Sequence, residues 1–358
     1  MNDNWTFGLF LLFPIVSGAM LIFFFQSQSR RTTPGGLGWL VKGNLLVLTF
    51  LVALCFIAGE SYYRFIYDAT DAFSKTKVSE RWMKRYYIVD YGGFRDNIVY
   101  SLAIEPGKRR ISFLGDSFVA GHGIKSVEDR FPNIIRRAHP EWEIHVQARL
   151  GADTGDELAL MNRLIQRGYQ LDCVVLVYNL NDVADIMPEW KETSRRIAIA
   201  ESKGGWLRHN SYFLDILYHH YILSRDPDVH QYFEFVRKGY EGPTWELQQQ
   251  RLAQLRDLVQ SHGGQLLVVI FPFVHAMGPD YAFQHVHDQM NQFWTDLKVP
   301  HLDLLSIYKN LPASKLVVNK YDAHPNEFAN GLAARAIDQF LTGEVKTNSP
   351  ATAPLPLK

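Results

Sequence analysis

Two long apolar stretches stand at the start of the chain. Residues 5–25 contain no charged side chain and, at about 1.5 Å per residue, would span about 30 Å as a helix, which matches the hydrocarbon core of a bilayer. Residues 39–59 carry one charge, Lys42, whose long side chain can reach the interface. A cleaved signal peptide would need a basic start, which residues 1–4 lack. Residues 1–61 are therefore predicted to form two transmembrane helices.

The charges around these stretches set the predicted orientation. Arg30, Arg31 and Lys42 lie between or beside the two stretches, whereas the N-terminal tail carries only Asp3. Because positively charged loops stay in the cytoplasm, the short loop is predicted to be cytoplasmic. Everything after about residue 61 is then predicted to lie on the outer, periplasmic side of a cytoplasmic membrane. If the second stretch does not cross, the same rule leaves the large domain in the cytoplasm.

From Arg110 onward, short apolar runs alternate with longer stretches of helical character. The runs are Ile111–Leu114, Glu143–Val146, Cys173–Tyr178, Leu266–Phe271 and His301–Leu304. Helices are predicted over Gly155–Gln166, Trp245–His262 and Glu327–Leu341. Strands that are apolar throughout are typical of parallel strands covered by helices on both faces. The pattern predicts a doubly wound, flavodoxin-like parallel sheet in a three-layer α/β/α domain.

The helix predicted over residues 245–262 has the clearest boundary signals. Thr244 is predicted to cap its start, and Gly263-Gly264 to end it. One apolar face is predicted from Leu247, Leu252, Leu255, Leu258 and Val259.

Four further segments complete the predicted organisation. Residues 62–109 mix Tyr, Arg and Lys side chains and are predicted to be a connector that packs on the domain of residues 110–343. Residues 183–243 are rich in aromatic residues without clear strands, and are predicted to be an insertion over the sheet edge. Residues 344–358, rich in Pro, Thr and Ala, are predicted to be disordered.

The charge balance excludes functions that depend on a strong net field. Lys+Arg and Asp+Glu number 37 each, so no nucleic-acid partner is expected. Two cysteines do not provide a disulfide framework. The histidine pairs at 219/220 and 285/287 lack the i, i+4 spacing with an intervening glutamate that marks a helical zinc site. No metal and no cofactor are therefore predicted.

Polar residues follow several predicted strands, at the edge where open α/β sheets build their sites. Ser117 follows the first strand in a Gly-Asp-Ser sequence, which taken alone is equally a strand-to-helix turn with a capping serine. Gly151, after the second strand, can aim its N–H at a developing oxyanion, and Asn181, after the third, can add an amide donor. Ordinary turns explain both residues as well. His324, in a predicted loop before the last helix, is a candidate base or part of a capped helix start.

These elements, in this order, resemble the four blocks of the SGNH (GDSL-like) hydrolase family: Gly-Asp-Ser, a lone Gly, Gly-x-Asn-Asp and Asp-x-x-His. The resemblance covers about residues 110–341. It implies that Ser117 is the nucleophile and that His324 is its general base. It also implies that the Ser117 N–H, the Gly151 N–H and the Asn181 side chain form the oxyanion hole.

The chain departs from the family pattern at two positions. Asn179 stands where a glycine is expected two residues before Asn181, which predicts a loop less free to approach the substrate. Tyr321 stands where an acid is expected three residues before His324. Asp322 is predicted to take the place of that acid. If it does not reach the ring, a Ser–His dyad with a backbone carbonyl orienting the imidazole is the alternative.

The resemblance and the predicted topology together imply an extracytoplasmic serine esterase that removes small acyl groups, such as acetyl, from a cell-surface glycan. The expected partners are the acylated glycan or another ester substrate, the lipid bilayer and, as a further option, a membrane acyltransferase. An O-acyltransferase that uses the same serine intermediate is a rival, since the two differ only in whether water or a sugar reaches the acyl-enzyme. The non-catalytic alternative is a glycan-binding or scaffold protein with a decayed site. The departures from the family pattern at Asn179 and Tyr321 favour it.

Overall fold

The computed structural model of this protein describes residues 3–30, 36–90 and 92–347. The first helices in chain order are α1 (Asp3–Ser29), α2 (Leu37–Ser61), α3 (Lys77–Tyr86), α4 (Ser117–Ala120), α5 (Phe131–Ala138), α6 (Thr154–Gln166), α7 (Asp182–Asp185) and α8 (Pro188–Ser202). The later helices are α9 (Trp206–Asn210), α10 (Tyr212–Leu223), α11 (Pro227–His230), α12 (Tyr232–Gly239), α13 (Gly242–Ser261), α14 (Gln284–Asp296), α15 (Leu305–Tyr308) and α16 (Glu327–Thr347). The strands are β1 (Arg109–Gly115), β2 (Trp142–Ala148), β3 (Cys173–Asn179), β4 (Gln265–Phe271), β5 (His301–Asp303), β6 (Val317–Asn319) and β7 (Asp322–Pro325).

The chain divides into two compact units, which are each made of several segments. The first unit contains the residues up to 69 together with 74–82 and 196–226. The second contains 70–73, 83–195 and the residues from 227 onward. The predicted insertion, residues 183–243, is therefore shared between the two units, and its described residues form the helices α7 to α12.

The first unit is built around α1 and α2, which contain the two predicted apolar spans. The helices pack side by side, with the Phe24 ring stacked on Trp39 at 4.8 Å and the Phe10 ring edge-on to Phe56 at 5.3 Å. Both helices are long and apolar enough to cross a membrane. Most of their large apolar side chains are exposed, whereas a soluble helix buries one such face.

A buried carboxylate links the end of α2 to the start of α10 within this first unit. Glu60 forms an ion pair of 2.7 Å with Arg64. Its oxygens also accept hydrogen bonds from the Ser211 hydroxyl at 2.6 Å and from the Tyr212 and Phe213 N–H groups at 3.2 and 3.0 Å. The first N–H groups of a helix have no partner inside the helix, so Glu60 satisfies donors that would otherwise be left without an acceptor.

The second unit contains the predicted parallel sheet. Its five strands lie in the order β2-β1-β3-β4-β5, and all neighbours are parallel, which confirms the doubly wound fold. Both faces of the sheet are buried: alternate residues of β3 join two separate apolar cores. Helices α6, α13 and α14 cover one face, and α5 and α16 cover the other. The five predicted strand positions are all occupied by strands of this sheet.

Two helix predictions need correction. Helix α13 begins at Gly242 with Glu241 as its cap, so Thr244 lies inside the helix. Proline in the first turn explains the earlier start, because its fixed φ suits that position. Of the predicted apolar face, Leu247 is exposed instead. Helix α16 extends to Thr347, so residues 344–347 of the predicted disordered tail are helical, and residues 348–358 lie outside the described part of the chain.

The segment predicted as a connector supports the loop that follows Ser117. Arg95 is buried, and its guanidinium donates hydrogen bonds of 2.5 Å to the Gly121 and Ile124 carbonyl groups. Gly121 has a φ of +72°, a conformation that glycine adopts without strain. The connector therefore helps to fix the backbone of the candidate nucleophile.

Candidate active site

Ser117 lies at the turn between β1 and α4, at the carboxyl edge of the sheet. Helix α4 begins at Ser117, and the Asp116 side chain caps it by accepting a hydrogen bond of 2.8 Å from the Phe118 N–H. A Cβ atom at Gly115 would lie only 2.4 Å from a methyl group of Val119, so this turn requires glycine. The local sequence thus presents a serine hydroxyl at the sheet edge on a tightly packed turn.

The structure brings Ser117, His324 and Asp322 together. The His324 Nε2 atom lies 2.8 Å from the Ser117 Oγ atom, across 207 positions of the sequence. The His324 Nδ1 atom lies 2.5 Å from Asp322 Oδ1. These contacts place a hydroxyl, an imidazole and a carboxylate in one hydrogen-bonded chain, the arrangement that activates a serine nucleophile.

The secondary structure explains why an acid two residues before His324 reaches the ring. Both residues lie on β7, which pairs with β6, and not in the predicted loop. Side chains at positions i and i+2 of a strand point to the same side. Asp322 and His324 therefore face the same way, and the carboxylate also accepts a hydrogen bond of 3.1 Å from the His324 N–H.

The electrostatics suit a general base. For Asp322, burial acts to raise the pKa, but the His324 ring beside it and hydrogen bonds from His122 and His324 hold the pKa well below its usual range. For His324, burial lowers the pKa, against the opposing influence of Asp322. The lowered pKa favours the neutral imidazole, whose Nδ1 atom faces the carboxylate and whose Nε2 atom faces the Ser117 hydroxyl.

Two residues that the sequence did not single out, Thr70 and His122, contact Asp322, and a third, Asp71, contacts His122. The Asp322 Oδ2 atom lies 3.4 Å from the His122 Nε2 atom and accepts a hydrogen bond from the Thr70 hydroxyl. The His122 ring packs against His324, with centroids 4.4 Å apart, and its Nε2 atom lies 3.2 Å from the Asp71 carbonyl oxygen. Thr70 and Asp71 lie in a connector without any motif, and His122 looks like one more histidine, so only the fold reveals them.

Asn181 also lies at the nucleophile. Its side chain forms a hydrogen bond with the carboxyl group of Asp116, the residue before Ser117. Burial raises the pKa of Asp116 to about 7, against hydrogen bonds that favour the ionised form. The amide is therefore held beside the turn on which the hydroxyl sits, where a donor to a developing oxyanion is needed.

The SGNH family pattern has glycine at positions 151 and 179, and the backbone conformation requires glycine at only one of them. Gly151 follows β2, has a φ of +68° and is exposed, so any side chain there would be strained. Asn179 is the last residue of β3 and lies outside the left-handed region, so its place requires no glycine. The replacement of the family's glycine by Asn179 is compatible with an undistorted strand end.

Among the described residues, one group of side chains could hold a metal ion, and it coincides with this site. The ligand atoms of His122, Asp322 and His324 all lie within 4.8 Å of one another. A metal ion bound there would need a nitrogen of His324 that now contacts Asp322 or Ser117, so it would compete with the hydrogen-bonded chain. His219 and His287, from the two histidine pairs in the sequence, are instead bonded to Glu201 and Asp303.

No protein-family model and no curated protein matches the chain. The chain is similar to solved structures of lipolytic G-D-S-L enzymes. A psychrotrophic esterase from Pseudoalteromonas sp. is 14% identical, over 67% of this chain and 100% of its own, with a TM-score of 0.42. A member of the lipolytic protein G-D-S-L family from Veillonella parvula is 12% identical over 67% and 100%, with a TM-score of 0.41. A lipase/acylhydrolase from Enterococcus faecalis is 14% identical over 68% and 100%, with a TM-score of 0.40.

Proposed function

We propose that this chain is a serine-dependent carboxylic-ester hydrolase of the SGNH type, with Ser117 as nucleophile, His324 as base and Asp322 as the orienting acid. The observation that carries the proposal is the continuous hydrogen-bonded chain from the Ser117 Oγ atom through both nitrogens of His324 to Asp322. Buried, correctly spaced groups of these three types in one place have few purposes other than acyl transfer.

The reaction follows from the geometry. As the Ser117 oxygen attacks the ester carbonyl, its proton passes to His324 Nε2, and the imidazolium is stabilised by Asp322. The Ser117 and Gly151 N–H groups and the Asn181 amide stabilise the negative oxygen of the tetrahedral intermediate. Collapse of that intermediate breaks the bond to the alcohol, which takes the proton from His324. Water then repeats the same steps on the acyl-enzyme and releases the acid.

The substrate is proposed to be a small acyl ester, such as acetyl, on a cell-surface glycan. The family resemblance and the two apolar helices support this class, because a membrane-anchored domain outside the cell meets glycans. Transfer of the acyl group to a sugar hydroxyl would use the same residues up to the acyl-enzyme. A decayed, non-catalytic site is less well supported, because Asp322 contacts His324 in spite of its unusual position.

A single assay tests the hydrolase and separates it from a transferase. The full-length protein in detergent micelles is incubated with an acetylated glycan, and separately with an acetyl donor ester and an unacetylated glycan. Mass spectrometry then measures acetyl groups lost or gained by the glycan. We expect loss of acetyl groups to water; gain of acetyl groups would make the protein a transferase, and no change in either mixture would contradict acyl chemistry on glycans.

The hydrolase domain is proposed to lie outside the cytoplasm, because the positive charges are concentrated between the two apolar helices. A reporter enzyme that is active only after export, fused after Leu341, is expected to be active. The same reporter fused within the segment 30–36 is the internal control and is expected to be inactive. Activity of a cytoplasmic reporter after Leu341 would overturn the two-span arrangement.

A further inference from the structure

A small cavity lies directly beside the proposed oxyanion hole. Its volume is about 210 Å³. One wall is the loop after β2, which includes Arg149 and Gly151, and the opposite wall is one face of α6, which includes Glu157 and Arg163. Gly115, two residues before the nucleophile, also lines it. Pockets for whole drug-sized ligands measure about 300–1,000 Å³, so this cavity suits one substituent of a larger molecule.

Two arginines of this cavity have no anionic partner among the described residues. Arg149 and Arg163 are both exposed, and neither guanidinium forms an ion pair or a hydrogen bond within the described part of the chain. The Arg149 guanidinium lies over the face of the Phe94 ring, 5.4 Å from its centroid. Arginines present a planar set of donors that matches carboxylate and phosphate oxygens, and here two of them border one cavity.

The carboxyl group of Glu157 is a third donor in the cavity. The side chain is 1% exposed, and neither carboxyl oxygen has a hydrogen-bond partner among the described residues. Burial, and then the neighbouring acid Asp116, raise the pKa of Glu157 well above its usual range, which favours the protonated form with an O–H to donate. Buried polar groups are nearly always hydrogen-bonded, so an acid that lines a cavity without a hydrogen-bond partner favours a ligand oxygen there.

The acidic residue Asp156 also lines the cavity, but it does not neutralise both arginines. Its carboxylate takes part in the cap of α6, accepting a hydrogen bond of 3.4 Å from the Asp153 N–H. The lining of the cavity therefore presents two guanidinium groups, which the Asp156 carboxylate alone cannot neutralise.

We propose that this cavity binds an anionic oxygen group, a carboxylate or a phosphate, carried by the same molecule as the ester that Ser117 attacks. The inference rests on the proposed function and narrows its substrate class to acidic molecules. The group is held by Arg149 and Arg163 and accepts a hydrogen bond from Glu157. Because Gly151 belongs both to the cavity and to the proposed oxyanion hole, binding of the anion positions the ester carbonyl at the nucleophile.

Three acetylated sugars of similar size test the proposal in the full-length protein in detergent: acetylated glucose, acetylated glucuronate and acetylated glucose 6-phosphate. We expect kcat/KM for one charged sugar to exceed that for the neutral sugar by about tenfold or more, and the better charged sugar identifies the anion. In Arg149→Gln and Arg163→Gln, this charged-to-neutral ratio is expected to fall by about tenfold. Arg167→Gln, an exposed arginine at the C-cap of α6 and four residues beyond Arg163, is the matched control and should keep the ratio.

Binding separates failure of this inference from failure of the proposed function. Glucuronate and inorganic phosphate are titrated calorimetrically into Ser117→Ala, which cannot form an acyl-enzyme. Binding of either anion that Arg149→Gln and Arg163→Gln weaken supports the cavity even if no ester is hydrolysed. Equal kcat/KM for charged and neutral sugars, or a ratio that Arg167→Gln lowers as much as the other two variants, would overturn the anion site while leaving the esterase intact.

Discussion

Replacement of Ser117 by alanine is expected to lower the turnover of an aryl acetate by about four to six orders of magnitude. Without the hydroxyl, His324 has no proton to take from a nucleophile, and the acyl-enzyme cannot form. The donors around the carbonyl would still stabilise a direct attack by water, so a small residual rate is expected. Spectrophotometric assay of aryl acetate hydrolysis by the full-length protein in detergent measures the change.

Ser112 offers a matched control for this experiment. It is a buried serine of the same strand, β1, whose hydroxyl lies 2.8 Å from the Tyr169 hydroxyl. Ser112→Ala should therefore cost stability without loss of turnover in the fraction that remains folded. If Ser117→Ala hydrolyses the ester as fast as the unchanged protein does, the site is not the catalyst, and the glycan-binding alternative gains the stronger support.

Replacement of Asp322 by asparagine is expected to lower kcat by about ten-thousandfold while the protein stays folded. The asparagine amide can donate its N–H to His324 Nδ1, and the ring proton then lies on Nε2. A protonated Nε2 cannot accept the proton of the Ser117 hydroxyl. The size of the loss distinguishes a triad from a Ser–His dyad. Steady-state kinetics with the same aryl acetate, beside a thermal unfolding curve, provides the measurement.

A second histidine–aspartate pair in the same unit supplies the control for Asp322→Asn. His287 Nδ1 lies 2.9 Å from Asp303 Oδ1, which also accepts a hydrogen bond of 2.9 Å from the Leu305 N–H at the start of α15. Asp303→Asn removes a comparable contact and should leave kcat near that of the unchanged protein. A loss of less than about tenfold in Asp322→Asn would instead indicate that another group orients His324.

The surroundings of Asp322 account for the large loss of kcat that is expected in Asp322→Asn. Its Oδ1 atom accepts from the ring and from the backbone N–H of His324, and its Oδ2 atom faces Thr70 and His122. Carboxylates that accept several hydrogen bonds stay ionised and fixed in orientation. We therefore propose that His122 and Thr70 position the Asp322 carboxylate and affect the reacting atoms only through it.

The parallel sheet was predictable because its signals are local. Runs such as Cys173–Tyr178, apolar at every position, are the pattern of strands buried on both faces, and the structure places this run in β3 between two cores. The candidate residues at strand ends were predictable for a related reason. Parallel strands all end at the same edge, so Ser117, Gly151 and Asn181 had to come near one another once the strand order was known.

Other features depend on long-range contacts that no short pattern encodes. That residues 322 and 324 share one face follows from β7 pairing with β6, whereas the sequence before the last helix looks like a loop. The contact of Thr70 with Asp322 joins positions 252 residues apart. Likewise, the aromatic segment 183–243 gave no hint that residues 196–226 would belong with the N-terminal helices.

Work on membrane-anchored enzymes often begins with a soluble fragment cut just after the last apolar helix. In this protein such a cut would remove Glu60, whose carboxylate satisfies the Ser211, Tyr212 and Phe213 donors and pairs with Arg64. The fragment would lose the ion-pair partner of the buried Arg64 and the acceptor of the first N–H groups of α10, and both losses are costly. Helix α2 is thus also part of the scaffold of the first unit, and a chain shortened to begin after Ser61 would lose contacts on which the start of α10 depends.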